Sequence, residues 1–165
     1  MRPAHLHRRA PVEVVLVRPE IAPNVGNVAR TCAALGLPLH LVGPTGFRIH
    51  DASLRRAGVD TWAQLELHWH RHLREVVALC GGRVLAHTTD GEIPLSPFDY
   101  VAGDLLVFGC ESQGLAVEDL EGCTALRVRL PQARDLRSLN LATSVGMSCA
   151  LALGGLQAWP DRGAS

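Results

Sequence analysis

Three short clusters of glycines and polar residues combine residue types that can hold an anion or a nucleobase. The first cluster runs from Asn24 to Arg30, reads N-V-G-N-V-A-R and includes Asn27. Its glycine permits a close backbone approach, and a helix that begins at Asn24 would offer free N–H groups to an anion. The other interpretation is a well-capped helix that carries a solvated arginine. The pattern of this cluster alone does not separate the two.

The second cluster, F-G-C-E-S-Q-G-L from Phe108 to Leu115, places the carboxylate of Glu111 between Gly109 and Gly114. The two glycines could simply make a turn. A glycine turn at the end of a strand also exposes backbone N–H and C=O groups. Such groups can read a purine edge without a charged side chain.

The third cluster follows Leu130 and Pro131, which end a predicted strand, and contains Ser138 and Asn140. Ser138 is predicted to cap a helix, and Asn140 is an uncommon polar residue in its first turn. A good helix cap with no further role remains an open interpretation.

All three clusters follow the carboxyl end of a predicted strand. The predicted strands are Val12–Val17, Leu39–Val42, Leu65–Trp69, Arg83–Thr88, Leu105–Gly109 and Leu126–Leu130. The predicted helices are Asn24–Leu35, Asp51–Ala57, Leu73–Leu79 and Ser138 to about Ala158. Strands separated by helices indicate an α/β fold, with a parallel sheet flanked by helices. Ligands of such sheets bind at the carboxyl ends of the strands.

The composition indicates one globular domain that does not coat nucleic acid non-specifically. The chain has 165 residues and a formal net charge of +0, and all 16 basic residues are arginines. A non-specific nucleic-acid coat would show a basic excess. We expect a single domain over 11–160 and a disordered basic tail over 1–10, which has no apolar run typical of a secretory signal. The cysteines suit free thiols in a reducing cytoplasm, and polar residues interrupt the longest apolar run, which argues against a membrane span.

Taken in order, the three clusters resemble the three motifs of the SpoU branch of the SPOUT methyltransferases. The resemblance spans about Val12 to Trp159. It is closest to small single-domain members that methylate the ribose of the wobble nucleotide in certain tRNAs. R-P-E-I-A-P-N, which starts at Arg18, and L-R-R-A-G-V-D, which starts at Leu54, resemble segments particular to those members.

The resemblance implies a fold, a cofactor and a reaction. The fold would carry a deep trefoil knot at the C-terminal end of the sheet, and the knotted loops would hold S-adenosyl-L-methionine in a bent shape. A homodimer would methylate the 2′-oxygen of the wobble cytidine or uridine of tRNA and release S-adenosylhomocysteine. The alternatives are a ribosomal RNA 2′-O-methyltransferase and an RNA-binding module that has lost activity. A flavodoxin-like small-molecule domain would give no reason for the pairing of the first and third clusters.

The same resemblance implies roles for individual residues. Catalytic roles fall to Arg30, Ser138 and Asn140. Cofactor contacts fall to His87, Gly109, Glu111, Gly114, Leu130 and Ser138. Contacts to the RNA fall to Asn24, Asn27, Arg55 and Arg56. Because a guanidinium stays protonated at any accessible pH, Arg30 is expected to orient the ribose or a phosphate and to stabilise developing alkoxide.

Two positions depart from the wobble-methylating pattern. Gln113 stands where those members commonly have arginine, and Thr61 stands where they commonly have tyrosine. Both changes concern expected RNA contacts more than the cofactor pocket, so they leave the exact RNA target open.

The segment His68-Trp69-His70-Arg71-His72 is a weak candidate for a metal site. Its histidines alternate as they would on one face of a strand. However, a metal site needs a matched set of ligands, and no carboxylate or cysteine follows nearby in the segment. We therefore expect no metal.

Overall fold

The computed structural model describes residues 10–47, 62–133 and 137–161. The predicted helix Asp51–Ala57 lies outside the described residues, together with Arg55, Arg56, Thr61 and residues 1–9 of the predicted tail. The strands are β1 (Val12–Val17), β2 (Leu39–Val42), β3 (Leu67–His70), β4 (Val84–His87), β5 (Ile93–Pro94), β6 (Asp104–Phe108) and β7 (Ala125–Arg129). The helices are α1 (Ala22–Leu35), α2 (Leu73–Cys80), a short 3-10 helix (Glu118–Leu120) and α3 (Leu141–Gly155).

The strands of the described residues form one parallel sheet in the order β3-β2-β1-β6-β4-β7-β5. This confirms the predicted parallel sheet flanked by helices. Each predicted strand is present: β1 and β2 have the predicted ends, and the ends of the others are shifted by one or two residues. The two-residue edge strand β5 was not predicted, because so short a segment contains no hydrophobic period.

The two faces of the sheet bury alternate residues of the same strands. On β1, Val14 and Leu16 pack with α1 and α3, while Val15 and Val17 pack against α2 on the opposite face. Successive side chains of a strand point to opposite faces, so a strand covered on both sides is apolar throughout. This explains why β1 is a nearly continuous run of aliphatic residues.

The starts of α1 and α3 differ from the prediction. Helix α1 begins at Ala22 after Ile21, with Pro23 in its first turn, so Asn24 is not its cap. Proline favours the first turn, where its missing N–H costs nothing. Helix α3 begins at Leu141 and ends at Gly155, and its cap is Asn140 rather than Ser138. The prediction for α1 was wrong because no side chain caps this helix, whose cap position is the apolar Ile21. The prediction for α3 was wrong because Ser138 and Asn140 are both good cap residues, and the pattern does not choose between them.

Among the described helices, none is both long and apolar enough to cross a membrane.

Candidate active site

A cavity of about 1050 Å³ opens at the carboxyl ends of β4, β6 and β7. The loop that follows β6, the loop that follows β7 and the start of α3 line it. It brings together most of the predicted site residues, namely Asn24, His87, Gly109, Glu111, Gly114, Leu130, Ser138 and Asn140. We refer to this cavity as the cleft. Its position agrees with the rule that ligands of parallel sheets bind at the carboxyl ends of strands.

The loop after β6 is a tight turn that depends on its two glycines. The backbone N–H of Gly114 donates to the carbonyl of Cys110 at 2.9 Å, which closes the turn. A Cβ on Gly109 would collide with the backbone of Gly114 and Leu115. Gly114 itself has a φ of 71°, in the left-handed region that glycine tolerates. The turn therefore brings its backbone groups to the wall of the cleft.

Two carboxylates hold the loop after β1 against the loop after β6. Glu111 accepts hydrogen bonds from the backbone N–H of Glu20 at 2.8 Å and of Ile21 at 3.3 Å. In return, Glu20 accepts from the backbone N–H of Ser112 at 2.9 Å and from its hydroxyl at 2.7 Å. Each loop thus supplies an acid to the backbone of the other. The role of Glu20 was not predicted, because a surface glutamate carries no signal of its partner.

A chain of side-chain amides connects the three clusters. The Nδ2 of Asn24 donates to Glu111 at 3.0 Å, and the Oδ1 of Asn24 accepts from the Nδ2 of Asn140 at 3.0 Å. The Oδ1 of Asn140 accepts from the backbone N–H of Ala142 at 2.9 Å and of Thr143 at 3.3 Å, so it also caps α3. The first, second and third clusters therefore form one hydrogen-bonded unit.

His87, at the end of β4, is held as a neutral side chain beside the cleft. Its Nδ1 donates toward the carbonyls of Leu85 at 2.9 Å and Val107 at 3.2 Å, and its Nε2 accepts from the hydroxyl of Ser148 at 2.8 Å. Its ring stacks on Phe108, with 4.0 Å between ring centroids. Burial lowers the pKa of His87 to about 4. The contact with Ser148 was not predicted, because a serine within an apolar helix gives no signal of its partner.

An ion pair also connects the end of β1 to the short 3-10 helix. The guanidinium of Arg18 forms a bidentate ion pair with Asp119 in the short 3-10 helix: its Nε donates to Oδ1 at 2.8 Å and its Nη2 donates to Oδ2 at 2.7 Å. Asp119 also accepts from the backbone N–H of Ala116 at 2.8 Å. Arg18 has a φ of 51°, an uncommon backbone conformation for a residue with a side chain. The pair fixes the direction in which the chain leaves β1.

The remaining predicted residues are not gathered in the cleft. Asn27 and Arg30 are exposed on α1 and do not line it. Arg30 follows Asn24 by six residues, which is about 9 Å along a helix. Gln113, where the wobble-methylating pattern has arginine, is exposed and lines the cleft.

The lining of the cleft fits a nucleoside-bearing cofactor. Apolar side chains of Phe108, Leu115, Leu130 and Leu139 stand beside the backbone groups of the glycine turn. Apolar walls with a few fixed donors and acceptors suit a flat base joined to a ribose, and the volume lies at the upper end of ordinary ligand pockets. The residues present therefore fit S-adenosylmethionine.

Residues 11–150 match the model of the SpoU rRNA methylase family. A tRNA (cytidine(34)-2′-O)-methyltransferase of Burkholderia cenocepacia is 44% identical over 138 residues, which cover 81% of this chain and 88% of that protein. A solved structure concerned with 2-OH methylation of C/U34 on tRNA superimposes with a TM-score of 0.81 at 40% identity, over 90% of this chain and 99% of the other. An AdoMet-bound rRNA methyltransferase of Sinorhizobium meliloti superimposes with a TM-score of 0.77 at 26% identity, over 88% of this chain and 56% of the other.

Proposed function

This chain belongs to the SpoU rRNA methylase family, and on that premise we propose that it transfers a methyl group from S-adenosylmethionine to the ribose 2′-oxygen of nucleotide 34 in tRNA. The observation that carries the proposal is the hydrogen-bonded unit of Glu111, Asn24 and Asn140 beside the cleft. That unit joins the three clusters that define the family resemblance. A helix cap or a turn taken separately would not require the connection.

The chain's own residues would hold and orient the cofactor. Backbone groups around His87, Gly109, Leu130 and Ser138 line the cleft and can contact the adenosine. Glu111 and Gly114 would act on the cofactor indirectly, by shaping the loops that line the cleft. The carboxylate of Glu111 accepts hydrogen bonds from the loop after β1, and Gly114 allows the turn after β6. Bound S-adenosylmethionine supplies a methyl group on a sulfonium, which is already a good leaving group.

Arg30 is proposed to act on the ribose rather than on the cofactor. Its guanidinium cannot serve as an ordinary base, because a guanidinium side chain stays protonated at any accessible pH. It would orient the ribose or a neighbouring phosphate and stabilise charge that develops on the 2′-oxygen, an effect worth about 3 kcal/mol for a single donor. Asn27, Arg55 and Arg56 are proposed to contact the RNA, with Ser138 and Asn140 nearer the reacting atoms.

We further propose a cytoplasmic homodimer in which 11–160 form a single domain with a deep trefoil knot. The family match over 11–150 supports the single domain. The loops after β6 and β7, which both line the cleft, are the segments that such a knot would involve. The position of Arg30 outside the cleft supports a site completed by a second chain.

Nucleoside mass spectrometry tests the reaction. Purified protein, incubated with S-adenosylmethionine and unmodified tRNA, is expected to produce 2′-O-methylcytidine or 2′-O-methyluridine located at position 34 of digested tRNA fragments. Ribosomal RNA serves as the comparison substrate. Methylation of ribosomal RNA with none in tRNA, or no methylation of either, would contradict the proposal.

The variant Arg30→Ala tests the proposed role of that guanidinium. Turnover should fall to background, while the affinity for S-adenosylmethionine measured by calorimetry should stay within about twofold, because the side chain stabilises the transition state and not the bound cofactor. Arg74→Ala, which removes an exposed arginine from α2, is the matched control. Wild-type turnover in Arg30→Ala would remove Arg30 from the mechanism.

A further inference from the structure

A second group of potential ligands lies at the edge of the sheet opposite the cleft. Glu13 is near the amino end of β1, His40 is near the amino end of β2, and Cys80 is the last residue of α2. The cleft, in contrast, lies where the strands end. A cavity of about 770 Å³ opens beside this group and is lined by all three residues. The group is therefore separate from the proposed methyl-transfer site.

The ligand atoms of the three residues already converge. The Nε2 of His40 lies 2.7 Å from the Oε2 of Glu13, and the Sγ of Cys80 lies 3.0 Å from the same oxygen. All three ligand atoms lie within 4.8 Å of one another. A tetrahedral zinc ion, with bonds of about 2.0 Å to nitrogen or oxygen and about 2.3 Å to sulfur, sets its ligands roughly 3.5 Å apart. A small rotation of the carboxylate would make room for the ion.

The chemistry of the set suits zinc. Carboxylate oxygen, imidazole nitrogen and thiolate sulfur together match the borderline-soft zinc ion and do not match calcium or magnesium, which prefer oxygen. His40 is only 1% exposed, so its orientation is fixed by packing.

His70 provides the support that a metal-bound histidine normally has. The Nδ1 of His40 lies 3.0 Å from the Nε2 of His70. If the Nε2 of His40 binds the ion, its Nδ1 carries the proton and donates a hydrogen bond to the Nε2 of His70. Such an outer hydrogen bond orients the ligand and strengthens binding.

We propose that Glu13, His40 and Cys80 bind one zinc ion, with His70 as the hydrogen-bond partner of His40 and a water from the cavity in the fourth position. Binding forms a zinc–thiolate bond and releases the proton of Cys80 to solvent. His40 and His70 both change from the tautomer with the proton on Nε2 to the tautomer with the proton on Nδ1, which leaves the Nε2 of His40 free to bind the ion and consumes no further proton. The proposal departs from the expectation of no metal, which rested on the lack of a carboxylate or cysteine near the histidines in sequence. The structure supplies both from other elements, since Glu13 lies 27 residues before His40 and 67 before Cys80.

Cobalt substitution of the full-length protein tests the site. Protein stripped with a chelator is titrated with Co²⁺ and then with Zn²⁺. One equivalent of Co²⁺ should produce a thiolate-to-cobalt charge-transfer band, which one equivalent of Zn²⁺ should remove. The absence of that band would overturn the proposal.

Three variants test which residues bind the ion, because each is expected to change the affinity for zinc by a different factor. Cys80→Ser should abolish the charge-transfer band and weaken the affinity for zinc by more than about 100-fold, whereas His70→Ala should weaken it by about 10-fold, as for other outer partners of metal ligands. Cys123→Ser, which removes another partly buried thiol, is the control and should keep the wild-type band. Equal zinc affinity and an unchanged band in Cys80→Ser would overturn the assignment, and circular dichroism of each variant verifies that it is folded.

Discussion

Glu20 and Glu111 stabilise the cleft because each one satisfies backbone N–H groups of a loop other than its own. Hydrogen bonds to an ionised acceptor are shorter and roughly twice as strong as neutral ones. The two hydrogen bonds from Ser112 lower the pKa of Glu20, which shows that the bonds favour its charged form. Loss of either acid would leave the donors of the opposite loop without a partner. The two acids therefore hold the loop after β1 and the loop after β6 together beside the cleft.

The neutral state of His87 gives the free energy of unfolding a defined pH dependence. Its pKa is 6.5 in an ordinary setting and about 4 in the folded protein, so between these values the unfolded chain binds a proton that the folded chain excludes. Stability is therefore greatest above 6.5 and is lost progressively as the pH falls toward 4. Between about pH 7.5 and about pH 5, His87 should account for a loss of about 2 kcal/mol.

Urea unfolding at the two pH values measures this loss. The variant His87→Gln retains a hydrogen-bonding side chain beside Ser148. Its free energy of unfolding should fall less than that of the wild type between the two pH values, by about 2 kcal/mol. His72→Gln, a change at an exposed histidine, should leave the wild-type drop in place. An identical drop in wild type and His87→Gln would show that His87 takes up a proton readily in the folded state.

The residue types of the site were predictable from the sequence, but their partners were not. Gly109, Glu111 and Asn140 were all singled out, because strand-end glycines and isolated polar residues are visible in a pattern. Asn24 was predicted to cap a helix, yet it links Glu111 to Asn140. A side-chain hydrogen bond across 116 positions depends on the assembled sheet, and no local pattern reports it.

The first turn of α3 depends on Asn140, which both caps the helix and connects it to α1. Asn140 caps the helix through its Oδ1 and binds Asn24 through its Nδ2. The backbone at this helix start and the turn after β6 together line the cleft. A displacement of α3 would therefore alter the shape of the cleft as well as the stability of the helix.

Two substitutions at Asn140 separate these tasks. Asn140→Ala should cost about 1 kcal/mol of stability through loss of the cap, whereas Asn140→Ser should cost only a few tenths, because serine is also a good cap. Alanine has no donor, and the serine hydroxyl is too short to reach Asn24, so both variants should bind S-adenosylmethionine more weakly, by about fivefold if one hydrogen bond of about 1 kcal/mol is lost. Calorimetry measures the affinity and urea unfolding the stability. Wild-type affinity in Asn140→Ser would mean that the link to Asn24 does not shape the cleft.

The presence and type of the strands and helices could be predicted more accurately than the residues at which they begin and end. Apolar runs such as β1 and β6 are buried on both faces, and this gives a strong signal that does not depend on distant contacts. The starts of α1 and α3 were wrong by two or three residues, because Pro23 and Asn140 determine them rather than Asn24 and Ser138. The edge strand β5 owes its pairing to β7 and has no signal of its own.

At the scale of the whole molecule, the cleft of one chain holds the proposed cofactor residues but not Arg30. The exposed position of Arg30 on α1 is consistent with a site that combines the cleft of one chain with the arginine of another. A symmetric dimer would create two such sites, because each surface of a two-fold interface occurs twice. The proposed homodimer would then be required for chemistry and not only for stability.

Co-expression of two inactive chains tests this arrangement. One chain carries Arg30→Ala, and the other carries Gly109→Val, whose side chain would collide with the turn at Gly114. If the arginine acts on the cleft of its partner, random pairing should restore about a quarter of wild-type activity, since about half of the dimers are mixed and each mixed dimer keeps one intact site. If arginine and cleft act within one chain, the mixture stays inactive. Each variant expressed alone provides the background.

The hydrogen bonds that close the cleft also determine when it can first exist during synthesis of the chain. Glu20 bonds to Ser112 across 92 positions, and Asn24 bonds to Asn140 across 116. Contacts so distant in sequence form late, because the loop between them must close before they contribute any stability. A growing chain that has completed β1, α1 and β2 has only one half of each pair. Binding of S-adenosylmethionine should therefore begin only after α3 has left the ribosome, which makes the cofactor a reporter of completed folding.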